Sequence, residues 1–195
     1  MLLLLMATAL LGYPSQAAAP AVGACIPQPM PPAIDSAAEL PIASETIEFS
    51  ATPSLDYPGR SWVVRVFRRG QVGATIEIIR LRRQFECNRY DVEARWKAPL
   101  KQEEYANIAN KVIPLAVPSS AVFAPSSVLR LDDLVIDGTS IKVRLRSQGW
   151  RVDRDLNHYG HGGAEISAIF RDLVARYAPA QELPSEDWRT PSKSE

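Results

Sequence analysis

The sequence predicts an α+β fold, an antiparallel sheet of about six strands in βββα-βββα order with two amphipathic helices on one face. Three observations carry this. Apolar and polar residues alternate with period two through several short stretches, two later segments repeat apolar residues at helical spacing, and glycine or proline punctuates the junctions between them.

The strands come first. Trp62, Val64 and Val66 alternate with Val63, Arg65 and Phe67 over 61–69, and Gly70 and Gly73 frame a turn into a second strand over 74–82. After a turn at Cys87-Asn88, Tyr90, Val92, Ala94 and Trp96 alternate with Arg89, Asp91, Glu93 and Arg95, which predicts a strand with one buried face. Pro99 suits the first turn of a helix, where a missing N–H costs nothing. Tyr105, Ile108, Ala109 and Val112 then form one apolar stripe, and Pro114 is expected to end it. Residues 114–127 read as a loop.

The second half repeats the plan. Leu134-Val135-Ile136, Asp137-Gly138, and Ile141, Val143 and Leu145 read as a hairpin, because Asp-Gly tolerates the positive φ of tight turns. Ser147-Gln148-Gly149 turns the chain into Trp150 and Val152. A helix over 163–177 carries Ile166, Ile169, Phe170, Leu173, Val174 and Tyr177 on one face, each able to stabilise by roughly 2 kcal/mol when buried.

The amino terminus predicts export. Leu2 to Leu11 is one apolar run, half the ~20 residues a membrane span needs, followed by Gly12-Tyr13-Pro14 and small residues. Ser15-Gln16-Ala17 fits a cleavage site and Val22-Gly23-Ala24 fits more loosely, although no basic residue precedes the run. The expected organisation is a signal peptide over 1–19, a proline-rich acidic arm over 20–58, an α+β domain over 59–178 and a polar tail over 179–195 in which Trp188 is a candidate anchor. The location implied is the periplasm or the extracellular space.

The two cysteines, Cys25 and Cys87, form an even pair, which in an oxidising compartment predicts a disulfide. Such a bond closes a long loop and would stabilise by about 4 kcal/mol on the chain-entropy account. Alternatively, Val22-Gly23-Ala24-Cys25 resembles a bacterial lipobox, in which Cys25 is lipidated and anchors the protein to a membrane. The apolar run ends well short of Cys25, so the disulfide is the preferred reading.

The net charge is zero, which gives no argument for nucleic acid. Arginine outnumbers lysine 17 to 5, and nine arginines against four acids fall between 60 and 95, whereas 20–58 holds five acids and no base. Near the end of the acidic arm Ile47 and Phe49 alternate with Glu48 and read as a short strand, and the arm is expected to lie across the basic sheet. Arg65, Arg80, Arg82, Arg144 and Arg146 are expected to share the solvent side of the sheet, where neighbouring strands offer Glu77, Asp91 and Glu93 as partners.

Both histidines fall in Asn157-His158-Tyr159-Gly160-His161-Gly162-Gly163. As a metal site, His158 and His161 would add Asp153 or Asp155. As an anion site, Gly160, Gly162 and Gly163 would present N–H groups at a helix start, assisted by Arg151 or Arg154. As a catalytic loop, either histidine would serve as a general base. The preferred reading is structural: the glycines supply special backbone angles, Asn157 closes a turn, and His158 and Tyr159 pack over the sheet end.

The resulting functional expectation is an exported, non-enzymatic module that binds a protein or a cell-envelope component, without a cofactor and without nucleic acid. The alternative is an exported hydrolase or metal- or anion-binding protein that uses the Asn157–Gly163 loop. Oligomeric state is left open.

Overall fold

A computed structural model of the chain describes residues 45–54, 59–70, 73–87, 89–117, 138–147, 150–158 and 162–189. In chain order the elements are β1 (Glu45–Pro53), β2 (Arg60–Arg68), β3 (Ala74–Gln84), β4 (Arg89–Leu100), α1 (Gln102–Ala116), β5 (Thr139–Ser147), β6 (Trp150–Asn157) and α2 (Gly163–Tyr177). A short 3-10 turn follows at Ala180–Glu182. The strands form one antiparallel sheet in the order β4-β3-β2-β1-β5-β6.

The α+β class and the six antiparallel strands stand, but their order along the chain differs from the predicted βββα-βββα. Among the described residues four strands precede α1 and two lie between α1 and α2. The difference comes from β1, which joins the two halves of the sheet by pairing with β2 on one side and β5 on the other. The short strand expected where Ile47 and Phe49 alternate with Glu48 is present and runs on through Ala51 to Pro53, but it belongs to the middle of the sheet and not to a separate arm. The strand expected at Leu134–Ile136 lies outside the described residues, as do Asp137, Cys25 and the signal segment.

Two helix boundaries also differ. Pro99 belongs to β4, aligned with Thr75, and α1 begins at Gln102. β4 is an edge strand, where a missing N–H need not remove a ladder bond. Pro114 lies inside α1, which continues to Ala116 and closes with the Val117 N–H donating to the Ile113 carbonyl at 2.8 Å. The apolar spacing of α2 predicted its span, and Ile166, Phe170, Leu173 and Val174 are buried.

Alternation gives the sheet two chemically distinct sides. The main core gathers Ile47, Phe49, Trp62, Val64, Ile76, Ile78, Val143 and Leu145 with Tyr105, Ile108 and Val112 of α1 and Ile166, Phe170 and Val174 of α2. Phe49 is its centre, stacked on Phe170 at 4.7 Å and against Trp188 at 4.7 Å. Trp188 is fully buried and its indole N–H donates to Ser167 Oγ at 2.5 Å. The tail beyond α2 thus contributes one of the largest core side chains, at a positive φ of 67° that a bulky residue adopts only under constraint. Among the described residues no helix is long and apolar enough to cross a membrane.

Candidate functional site

Of the Asn157–Gly163 loop, Tyr159, Gly160 and His161 lie outside the described residues. His158 is half-buried just past β6, and its main-chain N–H donates to the Thr139 carbonyl at 3.3 Å. Burial pushes its imidazole below the ordinary value, with Arg171 adding to the effect and Asp187 and Glu186 opposing it. Its charged neighbours therefore come from α2 and the tail. Asp187 is already engaged within its own turn: the Ser185 hydroxyl lies 2.5 Å from Oδ1, and the Arg189 guanidinium lies 3.1 Å from Oδ2. The Asp187 carbonyl accepts from the Thr139 hydroxyl at 2.5 Å.

The remaining loop candidates point to different surroundings. Asp155 pairs with Lys142 at 3.3 Å, Asp153 with Arg151 at 2.5 Å, and Arg154 is exposed opposite Val143 on β5. The Arg151 guanidinium holds the Asp153 carboxyl below the usual carboxylate range. Gly162 caps α2 at a φ of 79°, and Gly163 opens the helix; both are buried. Among the described residues no group of three or more His, Cys, Asp and Glu side chains could hold a metal ion.

The strongest electrostatic feature lies elsewhere, across the sheet. On the side opposite Phe49, the strand registers align Lys97 with Glu77, Glu77 with Arg65, Arg65 with Glu48, Glu48 with Arg144, and Arg144 with Asp153. One residue from each of the six strands enters this row, and the sign alternates at every step. At the centre, Arg65 Nε donates to Glu48 Oε2 at 2.6 Å and Arg65 Nη1 reaches Glu77 at 3.4 Å. Arg144 Nη1 lies 3.3 Å from the other Glu48 oxygen. Glu48 and Arg65 are only 2% and 1% exposed. Buried charges persist only when partnered in this way.

The side that carries Phe49 has its own charged cluster near the β4 edge. Glu93 accepts from Arg60 at 2.7 Å and from Arg80 at 2.8 Å, and the Arg60 contact holds its carboxyl below the usual range despite partial burial. Arg80 also meets Glu182 of the tail and lies over the rings of Trp62 and Trp96 at 5.8 and 5.7 Å. Glu93 occupies the register shift in which Ala94 opposes Arg80 and Val92 opposes Leu81.

The β3–β4 hairpin end contrasts with these paired surfaces. Phe85 is 55% exposed and Val92 42% exposed, the largest apolar exposures among the described residues. The Arg83 guanidinium lies 5.2 Å over the Phe85 ring, and Cys87 is buried in the same turn. That sheet arginines would meet acids was legible in the sequence, but a shared solvent side was not the outcome: Arg65 and Arg144 are buried on one side and Arg80 lies on the Phe49 side, because register is not written in any single strand. The hairpin exposure was missed because Phe85 lies in a turn, outside any periodic segment. Comparison with protein-family models, curated proteins and solved structures finds no match to this chain.

Proposed function

We propose that the chain is an exported periplasmic or envelope module, non-enzymatic, that binds another protein or an envelope component through the β3–β4 hairpin end. The observation that carries this reading is the exposure of Phe85 and Val92 beside a sheet whose central charges are consumed in internal pairs. Exposed aromatic side chains held by a rigid scaffold are characteristic binding anchors. In this reading both helices cover the Phe49 side of the sheet, and Cys87 pairs with Cys25, fixing the hairpin turn for recognition.

The binding test compares the mature protein with a Phe85→Asp, Val92→Asp variant in pull-down from an envelope fraction, with circular dichroism to establish that both are folded. Specific retention by the parent and its loss in the folded variant supports the reading. Equal retention by both, or a strictly monomeric parent that retains nothing, defeats it. Intact mass under non-reducing conditions separates the fates of Cys25: a loss of two protons for the disulfide, or an added acyl mass for lipidation.

A second reading, an exported metal- or anion-binding protein or hydrolase, draws on the burial that pushes the His158 imidazole below its ordinary value. Metal analysis of the parent and a His158→Ala, His161→Ala variant tests its metal form. Equal near-zero metal in both removes it.

A further inference from the structure

The alternating charge row has unlike ends. It starts at Lys97 on β4 and finishes at Asp153 on β6, and among the described residues these two strands are the edges of the sheet. The next row on the same side repeats the contrast, with Arg95 on β4 aligned with Ile79 and Asp155 on β6 aligned with Lys142. Arg95, Lys97, Asp153 and Asp155 are all exposed, whereas Arg65 and Glu48 between the edges are buried. Their contacts within the chain are peripheral: Arg95 lies 3.8 Å from Glu77, Lys97 lies 5.6 Å from the Phe67 ring centroid, and Asp155 meets Lys142 at 3.3 Å. Asp153 is met by Arg151 of its own strand. One edge thus offers two cations at alternate positions, and the other offers two anions at alternate positions.

We propose that β4 of one molecule pairs with β6 of a second copy of the chain, so that the sheet and its charge row continue head to tail from copy to copy. Strand direction suits this. Neighbouring strands alternate in direction and the sheet has six, so a copy displaced along the row sets its β6 antiparallel to β4 with the same side up. Register suits it too. Placing Lys97 opposite Asp153 also places Arg95 opposite Asp155 without a shift, since antiparallel partners count in opposite directions. On the Phe49 side the same register sets Trp96 against Arg154, Ala94 against Leu156 and Ala98 against Val152. Opposite charges, an arginine facing an aromatic ring, and apolar pairs are all stabilising cross-strand combinations.

The edge also carries devices that limit the contact. A bulge and a proline guard an edge strand against indiscriminate pairing. Here the register shift at Glu93 and the imino acid Pro99 bracket residues 94–98, the stretch whose partners match. A β4–β4 contact through the same stretch would instead oppose Arg95 with Lys97, two like charges. A contact this short is weak and reversible. It is also heterologous, leaving one β4 and one β6 free at the ends, so growth does not stop at two copies.

Sedimentation of the full mature protein over a concentration series tests this. The weight-average mass is expected to rise past the dimer as concentration approaches about 1 mM, where so small a contact still registers. A constant monomer mass overturns the proposal, and so does a plateau at the dimer. Arg95→Glu and Asp155→Lys, each shown to be folded by circular dichroism, should each weaken association at least tenfold. An equal mixture of the two should restore it, because the acid placed on one β4 meets the base placed on the other β6. Failure of the mixture to recover overturns the charge matching. Zero-length carbodiimide cross-linking of the parent gives a check that needs no variant. Lys97 and Asp153 of one chain are separated by the width of the sheet, roughly 24 Å at about 4.8 Å per strand spacing, so a Lys97–Asp153 link joins two copies. The Lys142–Asp155 link within one chain is the positive control. The control link without the Lys97–Asp153 link at the highest concentration also defeats the proposal. These measurements use the isolated protein, so failure of partner capture leaves them unaffected, and their failure leaves hairpin binding untouched.

Discussion

Glu48 uses both carboxylate oxygens inside the protein, one toward Arg65 and one toward Arg144. Replacing it with glutamine keeps the shape but leaves two buried guanidinium groups without their shared anion. Glu48→Gln is therefore expected to destabilise by about 3–5 kcal/mol in urea unfolding, far more than an exposed ion pair would. A loss below about 1 kcal/mol would show that the row is solvated. The pH dependence has two windows. The His158 imidazole is held below its ordinary value by burial, so the unfolded chain takes up the proton first as pH falls. Stability then decreases as pH drops through about 6.5, and His158→Gln should flatten the thermal-melting profile there. Hydrogen bonds from Arg68, Arg60 and Arg151 lower the carboxyls of Glu45, Glu93 and Asp153. Their contribution is present above the unfolded value of about 4 and is lost as pH falls through their lower folded values. At this scale the sequence showed that arginine and acid would pair, but not that Glu48 would hold two partners.

Elements with a strong internal period were readable in full, and those fixed by their neighbours only in part. The apolar stripe of α2 marks the helix over Gly163–Tyr177 whatever surrounds it. β1 is defined instead by what lies on either side, with Glu48 matched to Arg65 and Arg144. Pro99 misled because it satisfies two rules, helix start and edge strand, and only the position of β4 in the sheet chooses between them. Two glycines test the junctions. Gly162 caps α2 in the left-handed region, and an added Cβ would meet the Leu115 carbonyl at an ordinary 3.6 Å. Gly162→Ala should therefore cost only the backbone term, about 1–2 kcal/mol. Gly59 has a φ of 76°, and its Cβ would lie 2.8 Å from the Phe85 ring. Gly59→Ala combines the same backbone strain with a clash and should lower the melting temperature further. Equal melting temperatures for the two variants would mean that Phe85 moves aside freely.

For the molecule as a whole, the tail is part of the core. Trp188 sits between Phe49, Trp62 and Ser167, and Arg80 holds Glu182 of the same tail to the sheet. Trp188→Ala should destabilise by about 3–5 kcal/mol in denaturant unfolding, the range for an aromatic removed from a close-packed interior. A variant within about 1 kcal/mol of the parent would mean that the tail is only an appendage. The single tryptophan in a polar tail hinted at docking, but its depth came from the gap left between β1, β2 and α2, which no local pattern records.

That packing orders events in time. Phe49 stands on β1, while Phe170 on α2 and Trp188 beyond it are made more than a hundred residues later. A partly made chain holds the open half of its core until the tail arrives, and contacts this distant in sequence close slowly, on the scale of milliseconds to seconds. Replacing Trp188 with alanine should thus slow refolding as well as weaken the folded state.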